Sequence, residues 1–281
     1  MGRCYRRVCP APEPPQLPFR PGLVDLHSHI LPGVDDGAPD IETSIAMART
    51  AAADGIRVMV ATPHVSFEYA LDPADVGRMV GELNLTLARN EVPLAVMPGG
   101  EIALTRLGAL DAPALRTLSL GAGPYLLVET PYAGAAPFLE EVLFDLDLRG
   151  FRTILAHPER CAMFETDRDR LARLVERGVL CSVNAGSMAG QFGRRVRDFA
   201  VHLFRDGLVH NVASDTHDDE VRRAELRWGF ERMEDELPGI SEQASWFTDT
   251  APTAIVSGQT VPAPPEPPTA KRGWLRMRRT G

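Results

Sequence analysis

Thirteen residues near the start of the sequence, Asp25 to Gly37 (DLHSHILPGVDDG), hold two histidines and three acids at the end of an apolar run. More imidazoles and carboxylates close other apolar runs: His64 in ATPH, Glu101 in PGGEI, Glu129 in LLVET, His157 in LAHPER, and Asp215 with His217 in SDTH. His27 and His29 are two apart, so on a strand both face one side, as two ligands of one ion must. A single His-x-His pair is weak evidence, and any one of these histidines alone reads as a hydrogen-bonded core residue. Five of the seven histidines share the placement, however, and jointly they read as a metal centre. His202, inside a helical stretch, and His210, at the start of a strand, have no such neighbours and read as structural or solvent-facing.

His27, His29, Asp36, His64, Glu101, Glu129, His157, Asp215 and His217 are too many for one tetrahedral ion. They suffice for two or three ions if a carboxylate bridges. Mixed imidazole and carboxylate ligands suit manganese, iron or zinc. Three divalent ions against four carboxylates would leave the pocket net positive. It would then draw a phosphate dianion into a chain whose formal charge is −8, and lower the pKa of a bound water.

These groups need elements that deliver them to one place. Short apolar runs at Leu23–His27, Ile56–Ala61, Leu94–Met97, Tyr125–Val128, Thr153–Ala156, Val179–Val183 and Val209–Ala213 read as strands. Between them Ile41–Asp54, Ala74–Asn90, Pro137–Arg149, Arg168–Arg177, Arg194–Asp206 and Asp219–Glu236 have helical character, and several end at a glycine. Residues 102–118 are ambiguous. Alternation of this kind predicts an α/β fold with a parallel sheet, either a closed barrel or an open doubly wound sheet, and seven units favour the barrel. In such barrels the carboxyl ends of the strands converge on one mouth, where the candidate ligands fall.

Residues 1–22 are rich in Pro and Arg and are expected to be a disordered leader. The folded domain is expected over 23–256, followed by a proline tract and basic tail over 257–281. That tail, with Lys271, Arg272, Arg276, Arg278 and Arg279 around Trp274, Leu275 and Met277, is read as touching anionic lipid or an acidic partner, or as merely solvated. The acidic balance argues against a nucleic-acid binder. No apolar stretch reaches the roughly 18 residues of a membrane span and no signal peptide is evident, so a cytoplasmic location is expected. Cys4, Cys9, Cys161 and Cys181 form no Cys-x-x-Cys pair. Neither Cys161 nor Cys181 has Arg six positions on, where Asp167 and Ser187 stand, so the loop of cysteine-dependent phosphatases is absent.

In order, DLHSHILPGVDDGA, VATPH, PGGEI, LLVET, LAHPER and ASDTH resemble the motifs of the PHP superfamily. They are most similar to the bacterial PHP-type tyrosine phosphatases of capsule and exopolysaccharide loci, the CpsB type, across about residues 23–256. The resemblance implies a distorted TIM-like (β/α)7 barrel and a site of up to three ions, usually manganese. It implies hydrolysis of phosphotyrosine by metal-activated hydroxide without a covalent enzyme intermediate, and a bacterial tyrosine kinase of polysaccharide export as partner. It assigns the nine residues above as ligands, Glu101 as the bridge, and Arg160 of HPER to phosphate binding and charge stabilisation. Arg222 is a candidate for the same task or for a surface salt bridge.

Asp25 and Asp35, flanking the ligands, are read as orienting them. Val65 departs from the family, where a second histidine often follows ATPH. The basic run Gly193–Arg197 could meet an acidic peptide or be a solvated helix face. Two other functions remain open from the residues: hydrolysis of a small phosphate monoester such as histidinol phosphate, or a PHP module that binds metal without catalysis. The HILPGVDDGA stretch argues against the first and the complete ligand set against the second.

Overall fold

The computed structural model describes residues 22–267 apart from Ala70 and Ala122. The leader up to residue 21, with Cys4 and Cys9, and the basic end from residue 268 lie outside the described residues. All seven expected strands are present: β1 (Leu23–Ser28), β2 (Ile56–Ala61), β4 (Ala95–Pro98), β6 (Tyr125–Glu129), β7 (Arg152–Ala156), β8 (Leu180–Asn184) and β9 (Asn211–Ala213). Two more, β3 (His64–Val65) and β5 (Glu101–Ala103), are too short to show a period in the sequence. Each carries a candidate ligand as its first residue.

Every pairing is parallel, and the helices that return the chain are α1 (Ile41–Asp54), α2 (Pro73–Arg89), α3 (Ala112–Thr117), α4 (Leu139–Leu148), α5 (Ala162–Thr166), α6 (Arg168–Glu176), α7 (Ala185–Ala189) and α8 (Arg194–Arg205). Three short helices follow, α9 (Arg227–Met233), α10 (Ile240–Ser245) and α11 (Ala251–Val256). The helix expected over Asp219–Glu236 is thus only its second half. Asp218 Oδ1 accepts the backbone N–H groups of Glu220, Val221 and Arg222, which holds that segment in a turn instead of a helix.

Hydrogen bonding draws two parallel sheets, ordered β1-β2-β4 and β3-β5-β6-β7-β8-β9, so the fold is mixed α/β and no barrel is closed. The sheets meet end to end, because β2 leads into β3 through Thr62-Pro63 and β4 into β5 through Gly99-Gly100. A Cβ on Gly99 would stand 2.7 Å from Val60 Cγ1, so glycine permits the close approach at this break. The end of β1 meets the chain just past β9 through an isolated parallel bridge, Ser28 to Thr216.

Side-chain alternation sorts the core into two clusters. Val24, Leu26, Val58, Val60, Tyr125, Leu127, Ile154 and Ala156 pack together with Leu120, Ile255 and Val256. Met59, Leu126, Val128, Leu155, Cys181, Val183 and Val212 pack instead with residues of the helices. At roughly 25 cal/mol per Å² of apolar area removed from water, such burial is the main term holding the strand ends in register. Beyond α11 the chain still contacts the fold: Tyr125 donates to Gln259 O and Gln243 Nε2 to Glu266 O.

Candidate metal centre

β1 delivers His27 and His29 with their Nε2 atoms 3.2 Å apart. The loop after it folds back on itself, with Gly33 N donating to Ala38 O and Ala38 N to His29 O. A Cβ on Gly37 would lie 2.1 Å from His29 O, so only glycine fits there. That turn returns two acids to the histidines. Asp35 Oδ2 lies 2.7 Å from His29 Nδ1 and accepts His64 N at 2.9 Å. Asp36 Oδ1 stands 3.4 Å from both His64 Nε2 and His217 Nε2.

Glu101, 1% exposed, is the hub. Its Oε2 lies 3.2, 3.3 and 3.0 Å from His27 Nε2, His29 Nε2 and His64 Nδ1, yet this buried oxygen has no hydrogen-bond partner. Oε1 is 2.9 Å from His157 Nε2. Glu129, at the end of β6, faces His64 and His157 at 4.0 Å. Three overlapping sets bring ligand atoms within 4.8 Å of one another: His29, Asp36, His64 and His217; His27, His29 and Glu101; His64, Glu101 and Glu129. Three nitrogens around one carboxylate oxygen that accepts no proton is an arrangement that a shared cation satisfies, and these donors fit a divalent ion of intermediate softness.

Asp215 completes the cluster from the end of β9. Its Oδ1 is 3.4 and 3.5 Å from His27 and His29 Nε2. Its Oδ2 accepts from Asn184 Nδ2 at 2.7 Å, Arg160 at 3.1 Å and Arg222 at 2.6 Å. Asp215 and His157 both hold positive φ, +52° and +32°, a left-handed backbone that non-glycine residues adopt at a cost of about 1–3 kcal/mol. Behind them, Ser214 N and Oγ donate to the two oxygens of Asp25 at 3.0 and 2.5 Å. A cavity of about 330 Å³ opens over the cluster, lined by Asp36, His64, Tyr69, Glu129, Tyr132, Arg160 and Arg222 among others.

Electrostatics within the cluster are polarised. Burial opposes charge on Glu101 and Asp215, but His27 with His157 for the first, and His27, His29 and Arg222 for the second, hold both carboxyls well below the usual range. His29 is driven well above the ordinary imidazole value despite burial, through Asp215, Asp35 and Glu101. Burial lowers His64 and His217 and raises Glu129, whose ionisation the Glu101 charge further resists.

The nine residues singled out in the sequence meet around this one cavity, and both arginines reach its wall. Of the two flanking acids, Asp35 holds a histidine ring as expected. Asp25 does not; its carboxyl is taken by Ser214 and by His27 N at 3.3 Å, and burial pushes its pKa up to about 6. Gly193–Arg197 lies apart: Arg197 is paired with Glu236 and Arg195 with Glu165. Val65 is buried and pairs with Ile102. Cys161 and Cys181 are buried as well. Sequence reasoning missed the aromatics. Tyr69 stacks on His64 at 5.4 Å and Tyr132 on His157 at 5.3 Å, and the only sequence signal was a tyrosine three to five residues after a ligand.

Residues 23–245 match the family described as capsular polysaccharide synthesis, CpsB/CapC. The chain is 35% identical over 251 residues to tyrosine-protein phosphatase YwqE of Bacillus subtilis, covering 89% of this chain and 98% of that protein. It is 30% identical to the putative tyrosine-protein phosphatase CapC of Staphylococcus aureus, across 69% of this chain and 77% of that one. Among solved structures it superposes, with a TM-score of 0.76 and 33% identity over 89% of this chain and all of the other, on one from work describing Bacillus subtilis YwqE and Streptococcus pneumoniae CpsB as unique metal-dependent tyrosine phosphatases.

Proposed function

Because the chain belongs to the CpsB/CapC family, we propose that it is a metal-dependent protein-tyrosine phosphatase whose substrate is a phosphotyrosine-bearing bacterial tyrosine kinase of capsule or exopolysaccharide synthesis. The observation that carries this reading is the meeting of three imidazole nitrogens on the unpartnered Glu101 Oε2, beneath a cavity walled by two guanidinium groups. His27, His29, Asp36, His64, Glu101, Glu129, His157, Asp215 and His217 hold the metal, manganese in up to three ions, with iron or zinc as alternatives. Bound there, the metal supplies Lewis acidity and a lowered water pKa.

The chain's own groups do the rest. Arg160 and Arg222 bind the phosphoryl oxygens and stabilise charge as the ester bond breaks, for which a planar guanidinium is suited. Glu101, within 3.3 Å of nitrogens of four of the histidines, would be the central carboxylate holding the metal. Tyr69 and Tyr132 line the cavity and give the substrate ring apolar walls. The described cysteines are buried and take no part, and the proposed hydrolysis runs without a covalent enzyme intermediate.

The two sheets are read as a distorted (β/α)7 barrel interrupted at Thr62-Pro63 and Gly99-Gly100, with residues 23–256 as the catalytic domain. Among the described residues no helix is long and apolar enough to cross a membrane, and the protein is proposed to act in the cytoplasm, with its basic C-terminal tail meeting a membrane or an acidic partner. Full-length protein loaded with manganese is expected to hydrolyse a phosphotyrosine peptide and to stop when chelated. Preference for histidinol phosphate would assign the small-monoester reaction instead, and inertness towards both and towards p-nitrophenyl phosphate would leave a binding module.

A further inference from the structure

Arg160 reaches the cavity on a long side chain that, among the described residues, hydrogen-bonds another side chain from Nη1 to Asp215 Oδ2, at 3.1 Å. Two aromatic rings flank its guanidinium: Cζ lies 4.6 Å from the centre of Tyr132 and 4.2 Å from that of Phe192. Tyr132 lines the cavity; Phe192 does not. We propose that Phe192 is a positioning residue, whose ring fixes the plane of the Arg160 guanidinium so that its remaining N–H groups present to a phosphoryl oxygen. The proposal rests on the phosphatase reading for its use, though not for its geometry.

Phe192 is itself held by backbone. It sits in the turn after α7, where Gln191 N donates to Gly186 O at 2.9 Å and Gly193 N to Gly190 O at 3.0 Å. Gln191 Nε2 donates to Val221 O at 2.8 Å, one residue before Arg222, whose Cζ lies 5.9 Å from the same ring. One pinned turn therefore faces both arginines. A guanidinium over an aromatic face is attracted by the ring quadrupole and keeps its N–H groups free in its own plane. A carboxylate partner in that position would compete for those donors, and an aliphatic side chain would fill the space without orienting the plane.

The test compares Phe192→Leu, Phe192→Tyr, Arg160→Ala and the Arg160→Ala/Phe192→Leu double variant, all as full-length, manganese-loaded protein. Phe192→Leu is expected to lower kcat/KM for a phosphotyrosine peptide about 5-fold, the scale of one partly desolvated cation–π contact, and to weaken calorimetric binding of inorganic phosphate by a similar factor. Phe192→Tyr should restore both, and metal content should not change. In the Arg160→Ala background, Phe192→Leu should add a clearly smaller loss, because the closer contact is already gone and only that with Arg222, 5.9 Å from the ring, remains. In protein loaded with diamagnetic zinc in place of manganese, the NMR resonance of Arg160 Nε–H, shifted by the rings, should move in Phe192→Leu without any substrate. An unmoved resonance, an equal loss in both backgrounds, or a Tyr variant as poor as Leu would each overturn the proposal. If the unmodified protein hydrolyses no phosphotyrosine peptide, the phosphatase reading falls, while the resonance and phosphate affinity still decide the role of Phe192.

Discussion

At the carboxyl ends of the strands His27, His29, His64, His157 and His217 crowd against four carboxylates, whereas His210 stands alone just before the amino end of β9. Both regions bury imidazole, but they satisfy it differently. His210 Nδ1 accepts the backbone N–H of Cys181 at 3.2 Å and the His210 backbone N–H donates to Cys181 O at 2.9 Å, so the backbone of the neighbouring strand anchors this residue. In the cluster His27 Nδ1 and Glu101 Oε2 have no hydrogen-bond partner. Two buried polar atoms there are left without a partner, an arrangement that a shared cation would satisfy. A buried histidine is therefore a sign of metal only when its neighbours leave it unsatisfied.

The contrast breaks most sharply at Glu101. Glu101→Gln keeps the shape and removes the charge that three imidazoles share, so phosphotyrosine turnover is expected to fall by about 10³-fold, or about 4 kcal/mol, with bound metal reduced in elemental analysis. His210 tests the other side. Burial lowers its pKa to about 4 from 6.5, so the folded state disfavours the proton that the unfolded chain takes up. Its contribution is then complete above pH 6.5 and is lost as pH falls towards 4, by roughly 3 kcal/mol. Urea unfolding of the native chain and of His210→Asn across that range should show the slope flattened in the variant.

A smaller effect is expected one shell out. Asp35→Asn frees the His29 ring and should weaken metal affinity roughly 10–100-fold, measured by competition with a chelator. Least of all, Arg195→Ala removes an exposed pair with Glu165 and should leave turnover within about 2-fold and stability within about 0.5 kcal/mol. A large loss there would return Gly193–Arg197 to the substrate surface.

Much of this was legible in the sequence, and for a physical reason. Buried parallel strands must be apolar along their length, so a histidine or carboxylate at the end of LLVE or TILA stands out against its own strand. Strands β3 and β5 were invisible because two or three residues carry no period. The turn at Asp218 was hidden as well, since one side chain capping three backbone N–H groups leaves no compositional trace. Barrel closure was overestimated: seven units argue for a ring, but Pro63 and the Gly99-Gly100 pair interrupt the ladder, and β1 meets the chain after β9 through an isolated bridge, Ser28 to Thr216, and not through a strand ladder. Within the site, the proposed ligands stood out by residue type. Tyr132 and Phe192 did not, because an aromatic residue in a loop has no spacing rule that links it to an arginine.

The clasp between Asp25 and Ser214 joins positions 189 apart in the chain. On a ribosome adding about 5–20 residues per second, the histidines of β1 emerge roughly 10–40 s before Asp215 and His217 are made. A nascent chain thus exposes its first histidines long before Asp215 and His217 exist, so the cluster can close only as a late act of biosynthesis.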